Sequence, residues 1–266
     1  MNKTFISNFF RRIGILGLTD YLLYFFYKIK NHNINQKFKF ENPNINLPPD
    51  YLIYESFQLN YYKYYNESHE TAKWLLDNVS PFVKLENAKI LDWGCGPGRI
   101  IRHLPNLLKS CKFYGTDYNK NSIKWCKNNL NNISFNHNNL NATLPYPDNY
   151  FNIIYGISIF THLSKKKNYE WSDELYRILK PKGIFFFTTQ GENFKKLLTI
   201  NEKKKFDAGK IITRGNVKEG HRTYSTFHPE IFIKNLFNNF KILKHIILKQ
   251  EKNQIIPQDI WIIKKI

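Results

Sequence analysis

Cysteine is scarce in this chain. Cys95, Cys111 and Cys126 are three in 266 residues, with no CxxC pair, which argues against a disulfide framework and a structural zinc site. No metal is expected, and the scarcity suits a reducing cytoplasm. Acidic side chains are also short: 21 Asp+Glu stand against 40 Lys+Arg, a net charge of +19. Such a balance either draws an anionic partner (nucleic acid, a phospholipid surface, an acidic glycan) or consists of lysines that solvate a surface. The lysines are scattered and no nucleic-acid-binding motif accompanies them, so DNA is not an expected partner. No uninterrupted apolar run of about 18 residues is present, which speaks against a spanning helix. No small-residue cleavage site follows an apolar core, so no signal peptide is expected.

What is abundant near the start is aromatic and aliphatic. Residues 5–30 are rich in Phe, Tyr, Leu and Ile, flanked by Arg11, Arg12, Lys28 and Lys30. Gly14 and Gly17 weaken the middle, and Thr19 or Asp20 is placed to cap a helix running to Lys30. Two readings stay open. The helix lies in a membrane interface with its basic ends near headgroups, making the protein peripheral at the inner face. Alternatively it packs on the main domain, or on a second subunit in a homodimer. Three prolines, Pro43, Pro48 and Pro49, mark residues 42–50 as a linker. The division expected is an N-terminal helical extension and linker over 1–45 and a main domain over 46–266.

From residue 51 a helical stretch, strongest over 69–79, leads into alternating strands and helices. Strands are expected at 89–93, 112–116, 133–136, 152–158 and 183–189, with helices at 121–130 and 167–179. This rhythm predicts an α/β fold with a doubly wound, Rossmann-like sheet. A helix from Pro229 to Phe237 is followed by strands at 241–249 and 259–263 with no helix between them. That connection is too short for a parallel crossover, so the final pair should be an antiparallel hairpin.

The segment Ile90-Leu91-Asp92-Trp93-Gly94-Cys95-Gly96-Pro97-Gly98-Arg99 reads as a buried strand, a glycine turn and a helix start near Ile100. Glycines let the backbone turn tightly and approach a ligand. A dinucleotide site uses GxGxxG to seat a pyrophosphate. Here the spacing is GxGxG with Asp92 just ahead. A carboxylate disfavours a pyrophosphate but tolerates a sulfonium cofactor with an ammonium group, so S-adenosylmethionine is favoured over a nicotinamide dinucleotide. Cys95 reads as a small buried spacer rather than a nucleophile.

Together with Tyr114-Gly115-Thr116-Asp117, the run Leu144 to Phe151 (LPYPDNYF), the run Ile154 to Leu163 (IYGISIFTHL) and the run Trp171 to Gly183 (WSDELYRILKPKG), this segment resembles the class I S-adenosylmethionine-dependent methyltransferases over residues 50–266. Residues 46–54, 219–229 and 258–259 resemble a bacterial subgroup with an N-terminal helical extension. The resemblance implies that Gly94, Gly96 and Gly98, with Cys95 between them, pass beneath the methionine part of the cofactor, and that Asp92 helps hold its amino-acid end. It implies that Asp117 accepts both ribose hydroxyls, that Tyr118 lies against the adenine face, and that Asn139 and Leu140 meet the adenine edge. Gly156 and Ile157 would offer carbonyls to the ammonium group. Asp117 and Asn139 are also residues that turns favour for their own sake.

Methyl transfer to a hydroxyl calls for a base. The candidates are His162, His221 and His228, with His162 and His221 foremost. His162 follows the fourth strand, and its plain alternative is a packed histidine bonded to backbone. His221-Arg222 lies in the segment 191–227, where a cover over the acceptor is expected, and its plain alternative is a solvated loop. Three positions depart from the family pattern: Asn152 replaces an aspartate, Lys182 a glycine, and Gln190 a histidine. The expected activity is methyl transfer to a small-molecule or glycan hydroxyl, including a cell-surface polysaccharide intermediate. The alternatives are an inactive binding or assembly subunit of the same fold, or an RNA methyltransferase.

Overall fold

The structure, a computed structural model, describes residues 16–57, 59–251 and 255–266. Arg11, Arg12 and Gly14 of the N-terminal segment lie outside the described residues. The chain divides into two compact units, 15–137 and 138–266.

In the first unit, helix α1 (Leu16–Lys30) runs through Gly17, Thr19 and Asp20 without a break. The expected cap at Thr19 or Asp20 is therefore not formed. Asp20 is buried instead, its carbonyl and carboxylate both accepting the Tyr54 hydroxyl at 2.8 and 3.0 Å. Helices α2 (His32–Glu41) and α3 (Asp50–Phe57) follow. A five-residue π turn over Lys63–Glu67 leads into α4 (Ser68–Val79). Phe38, Ile53, Tyr54, Leu59, Tyr61 and Tyr64 form a buried cluster against which Tyr24 and Tyr27 of α1 pack. Strands β1 (Lys89–Trp93), β2 (Lys112–Asp117) and β3 (Ile133–His137) are parallel, in the order β3-β2-β1. Register places Asp92 beside Gly115, and Thr116 beside Asn136. Ile90, Leu91 and Trp93 are all buried, the mark of a strand covered on both faces.

After the glycine turn the helix expected from Ile100 to Leu108, bent or cut short at Pro105, takes the form of a 3₁₀ turn (Ile101–His103) and the single α turn α5 (Leu104–Leu107). Pro105 is tolerated because it falls in the first turn, where its missing N–H has no intrahelical partner. Helix α6 (Lys120–Asn129) is capped by Asn119, whose side chain accepts the N–H groups of Asn121 and Ser122.

In the second unit β4 (Phe151–Gly156) pairs in parallel with β5 (Leu179–Thr189), with α7 (Lys165–Ile178) between them in sequence. Arg177 ties α7 to the preceding loop. It is bidentate on Glu174 and also donates to Asp148 and to the carbonyls of Leu144 and Tyr146. The segment 191–227, a plain insertion in the sequence reading, holds a 3₁₀ turn (Glu192–Leu197), α8 (Ile200–Asp207) and an antiparallel pair, β6 (Ile212–Arg214) with β7 (Ser225–Phe227). Burial alone would raise the Glu202 carboxyl pKa, but Arg214 and the Thr199 N–H pull it down to about 2. Pro229 is the N-cap of α9 (Glu230–Leu236) rather than its first residue. The final hairpin is antiparallel as expected: β8 (Phe240–Ile246) pairs with β9 (Asp259–Lys265), which also runs antiparallel to β5.

Candidate functional site

The glycine turn is built from opposed demands at adjacent positions. Gly94, Gly96 and Gly98 all have positive φ, at 79°, 52° and 77°, a region costly for a residue with a Cβ. Gly94 and Cys95 both donate to the Thr116 carbonyl, folding the turn over the end of β2. A Cβ on Gly98 would lie 2.5 Å from Leu130 Cδ1 and 3.3 Å from Cys126 Sγ, so this glycine serves packing against α6. A Cβ on Gly96 would meet nothing within 4 Å. The same loop thus has one closed glycine and one that faces open space.

Asp117, at the end of β2, is buried. Its Oδ2 accepts the Gly96 N–H at 2.8 Å and its Oδ1 accepts the Asn119 N–H at 2.7 Å. The turn reading of this aspartate is therefore true as far as it goes, because the carboxylate joins the glycine loop to the loop after β2. Two oxygens carry about four lone-pair sites, so capacity for further donors remains. Burial raises its pKa, and the two backbone N–H groups counter that. Asp92 is buried on β1. Tyr118 is half-buried, its phenol pushed up to about 12 by burial, and its carbonyl receives His137 Nε2 at 3.0 Å. Burial holds the Cys95 thiol well above the ordinary range, with Cys126, Asp92 and Asp117 adding to the effect. That suits a spacer and not a nucleophile.

The sequence reading missed the support beneath this loop. The buried Tyr64 hydroxyl donates to the Pro97 carbonyl at 2.6 Å, Arg99 donates to Ser68 Oγ, and Asn119 donates to Glu55. Arg102 lies over the rings of Tyr64, Tyr65 and Trp125 and donates to the Asn46 carbonyl. Gly115 was legible only as part of a motif. A Cβ there would lie 2.6 Å from the Phe135 ring and 3.0 Å from Cys95 Sγ.

In the second unit Gly156 ends β4, with Ile157 after it, and Ser158 adopts a φ of 66°. A directed hydrogen-bond circuit braces this corner. Ser158 N–H donates to Thr188 Oγ1, Thr188 to Gln258 Oε1, Gln258 to Ser158 Oγ, Ser158 to Thr161 Oγ1, and Thr161 to the Ser158 carbonyl. Each hydroxyl proton has one acceptor, which fixes the direction. Asn139 is exposed while its neighbour Asn138 is buried and donates to the Asn139 carbonyl; Leu140 is half-buried.

The structure brings His162 and the 218–224 loop together. Gly220 N–H donates to the His162 carbonyl, and His162 Nδ1 lies 2.8 Å from the Tyr224 carbonyl. A carbonyl only accepts, so Nδ1 carries the proton and Nε2 keeps the lone pair. Burial lowers the pKa of His162, outweighing the Tyr224 carbonyl, and His221 and Arg222 lower it further, so the ring is neutral. His221 Nδ1 accepts the Thr223 N–H, which places its proton on Nε2. His228 is set apart by full burial. Its Nε2 is 3.0 Å from Asn168 Oδ1, Nδ1 has no partner among the described residues, and burial holds its pKa near 3. Such a ring is a poor base at neutral pH.

Of the three departures, Asn152 receives Lys180 Nζ, Lys182 takes a φ of 65°, and the Gln190 side-chain oxygen is buried without a partner among the described residues. Among the described residues no group of three metal-ligating side chains is present.

Residues 90–183 match the family model described as a methyltransferase domain. A fatty-acid O-methyltransferase of Mycolicibacterium smegmatis is 25% identical over 150 residues, covering 56% of this chain and 49% of that protein, so the chain spans about half the length of this curated relative. A solved S-adenosylmethionine-dependent methyltransferase from Methanosarcina mazei superposes with a TM-score of 0.54 at 19% identity, over 71% of this chain and 96% of the other. A Listeria monocytogenes structure assigned to the same class gives 0.56 at 14% identity, over 74% and 99%. The structural likenesses establish the fold, with its mostly parallel sheet and antiparallel C-terminal strands, and the family match falls on the glycine turn, Asp117 and the strands that carry them. Residues 90–183 thus carry a match to a methyltransferase domain, and the chain has the fold of the solved S-adenosylmethionine-dependent methyltransferases.

Proposed function

We propose that the protein transfers a methyl group from S-adenosylmethionine to an oxygen of a small-molecule or glycan acceptor, with residues 46–266 as the catalytic domain. The observation that carries the cofactor half is the open side of Gly96 joined to Asp117, a buried carboxylate with acceptor capacity to spare. The cofactor, when bound, supplies a methyl group on a positive sulfur. Asp117 would hold the ribose hydroxyls, and the glycine turn with Asp92 would hold the methionine end. Tyr118, Asn139 and Leu140 would frame the adenine, and the carbonyls of Gly156 and Ile157 would receive the ammonium group.

For the acceptor, His162 Nε2 is the favoured proton-accepting atom. Its tautomer is set by Tyr224, and a neutral imidazole takes a proton from a hydroxyl as the methyl group is transferred. Much of the rate would come from alignment of acceptor and methyl group. His221 and Arg222 would position the acceptor, Arg222 suiting a carboxylate or phosphate on it.

Isothermal calorimetry tests the cofactor half: binding of S-adenosylmethionine is expected, and at least a hundredfold loss in Asp117→Ala. Absence of binding to the wild type would favour a non-enzymatic subunit. Labelled cofactor with cell-envelope extracts tests the acceptor half. A base-stable label is expected for a hydroxyl acceptor. A base-labile methyl ester would instead assign a carboxylate, the chemistry of the mycobacterial relative's name, and label in RNA would support the nucleic-acid alternative.

A further inference from the structure

Helix α1 has two faces with different fates. Taking about 100° per residue, Asp20, Tyr24 and Tyr27 share one side. That side is fastened to the unit's own core: Asp20 to the Tyr54 hydroxyl, and Tyr24 and Tyr27 to the Tyr54 ring at 5.5 and 6.2 Å between centroids. Leu18, Leu22, Phe25, Phe26 and Ile29 project from the other side. Leu18, Leu22, Phe26 and Ile29 are 61%, 59%, 54% and 77% exposed. An apolar stripe over most of a helix, left outside while the opposite stripe is docked, is not a core face awaiting its own domain.

The charges decide the occupant. On the same helical wheel Lys28 and Lys30 fall about 100° to either side of the apolar pole. Lys30 Nζ lies 5.7 Å from the centre of the Phe26 ring on the apolar face, while Lys28 Nζ lies 5.8 Å from that of Tyr24 and 3.3 Å from Asp50 Oδ2, paired within its own unit. Long cationic side chains flanking an apolar face, with aromatics along its edge, match the layering of a bilayer interface, in which ammonium groups reach the headgroups while the pole enters the acyl boundary. A second copy would bring another chain of net charge +19 against this face and Lys30, whereas an anionic bilayer offers both a counter-charge. No described helix is long and apolar enough to cross a membrane.

We infer that the Leu18–Leu22–Phe26–Ile29 face of α1 seats the protein on an anionic phospholipid surface. Vesicle co-sedimentation with the full chain tests it. Phosphatidylglycerol vesicles are expected to bind the wild type at least tenfold more tightly than phosphatidylcholine vesicles. The combined Leu18→Ser, Leu22→Ser, Phe26→Ser and Ile29→Ser variant should lose at least tenfold of that binding while its circular dichroism and cofactor titration stay unchanged. If the combined variant fails to fold, Leu22→Ser and Ile29→Ser singly should each weaken binding severalfold. No binding by the wild type, equal binding to the two lipids, or undiminished binding by the variants would overturn the inference. So would a dimer in sedimentation velocity that the same substitutions dissolve. Calorimetry of the cofactor reads the methyltransferase function separately from all of these outcomes.

Discussion

Two glycines two positions apart, Gly96 and Gly98, make the sharpest contrast at the scale of single residues. Gly98→Ala drives a Cβ into Leu130 and adds left-handed strain. It should lower stability by about 2–3 kcal/mol, read by denaturant unfolding. Gly96→Ala meets only the strain, about 1–2 kcal/mol, yet fills the open side of the loop. It should therefore weaken cofactor binding by more than it weakens the fold. His228 carries a pH signature. Its folded pKa near 3 lies below its ordinary value near 6.5, so the unfolded chain binds the additional proton between these limits. The stability linked to His228 is complete above about pH 6.5 and is lost as pH falls through that window. At pH 5 the loss should reach about 2 kcal/mol, and His228→Gln, which keeps a donor for Asn168, should remove that part of the acid sensitivity. His103, also held near 3 by burial first and by Arg102 and His69 next, acts in the same direction. The sequence ranks His162 and His221 ahead of His228 by position alone, and these titration properties are not visible in it. Burial and partner geometry separate the three rings.

Elements were legible where their signals are local. β1 falls on the expected 89–93, because an apolar run followed by a glycine turn leaves no competing arrangement. The helix after the glycine turn is short, as Pro105 suggests, and with the tight exit from Gly98 it consists of a 3₁₀ turn and one α turn. The β6–β7 pair and α8 were not foreseen, since three-residue strands carry no periodicity, although the Thr199–Glu202 capping box was written in the sequence. Two predictions belong here. Arg177→Met leaves the buried Glu174 carboxylate without its cation, and thermal unfolding should show a loss of about 3 kcal/mol. Lys182, at a φ of 65° within β5, stands where the family has glycine. Lys182→Gly relieves about 1–2 kcal/mol of left-handed strain against about 0.5–1 kcal/mol of added unfolded-state entropy. A small gain in melting temperature is expected.

For the molecule as a whole, a ligand that binds only the folded chain must stabilise it. S-adenosylmethionine at a hundred times its Kd should add about 2.7 kcal/mol, a shift of several degrees in the melting temperature, and Asp117→Ala should abolish the shift. Sequence by itself determined the fold class and singled out S-adenosylmethionine as the methyl donor proposed here. Both rest on short-range facts: which residues alternate, where a glycine must replace a side chain, and where a carboxylate ends a strand. Tertiary structure decided what depends on distant partners. It showed Tyr64 and Ser68 supporting the glycine loop from 33 and 31 residues upstream, and Glu55 holding Asn119 from 64 residues upstream. It set the tautomers of His162 and His221, and it withdrew His228 into the core. It also docked one side of α1 through Asp20 and left the opposite side bare. The amphipathic pattern names an apolar stripe, but only packing tells which stripe is already covered.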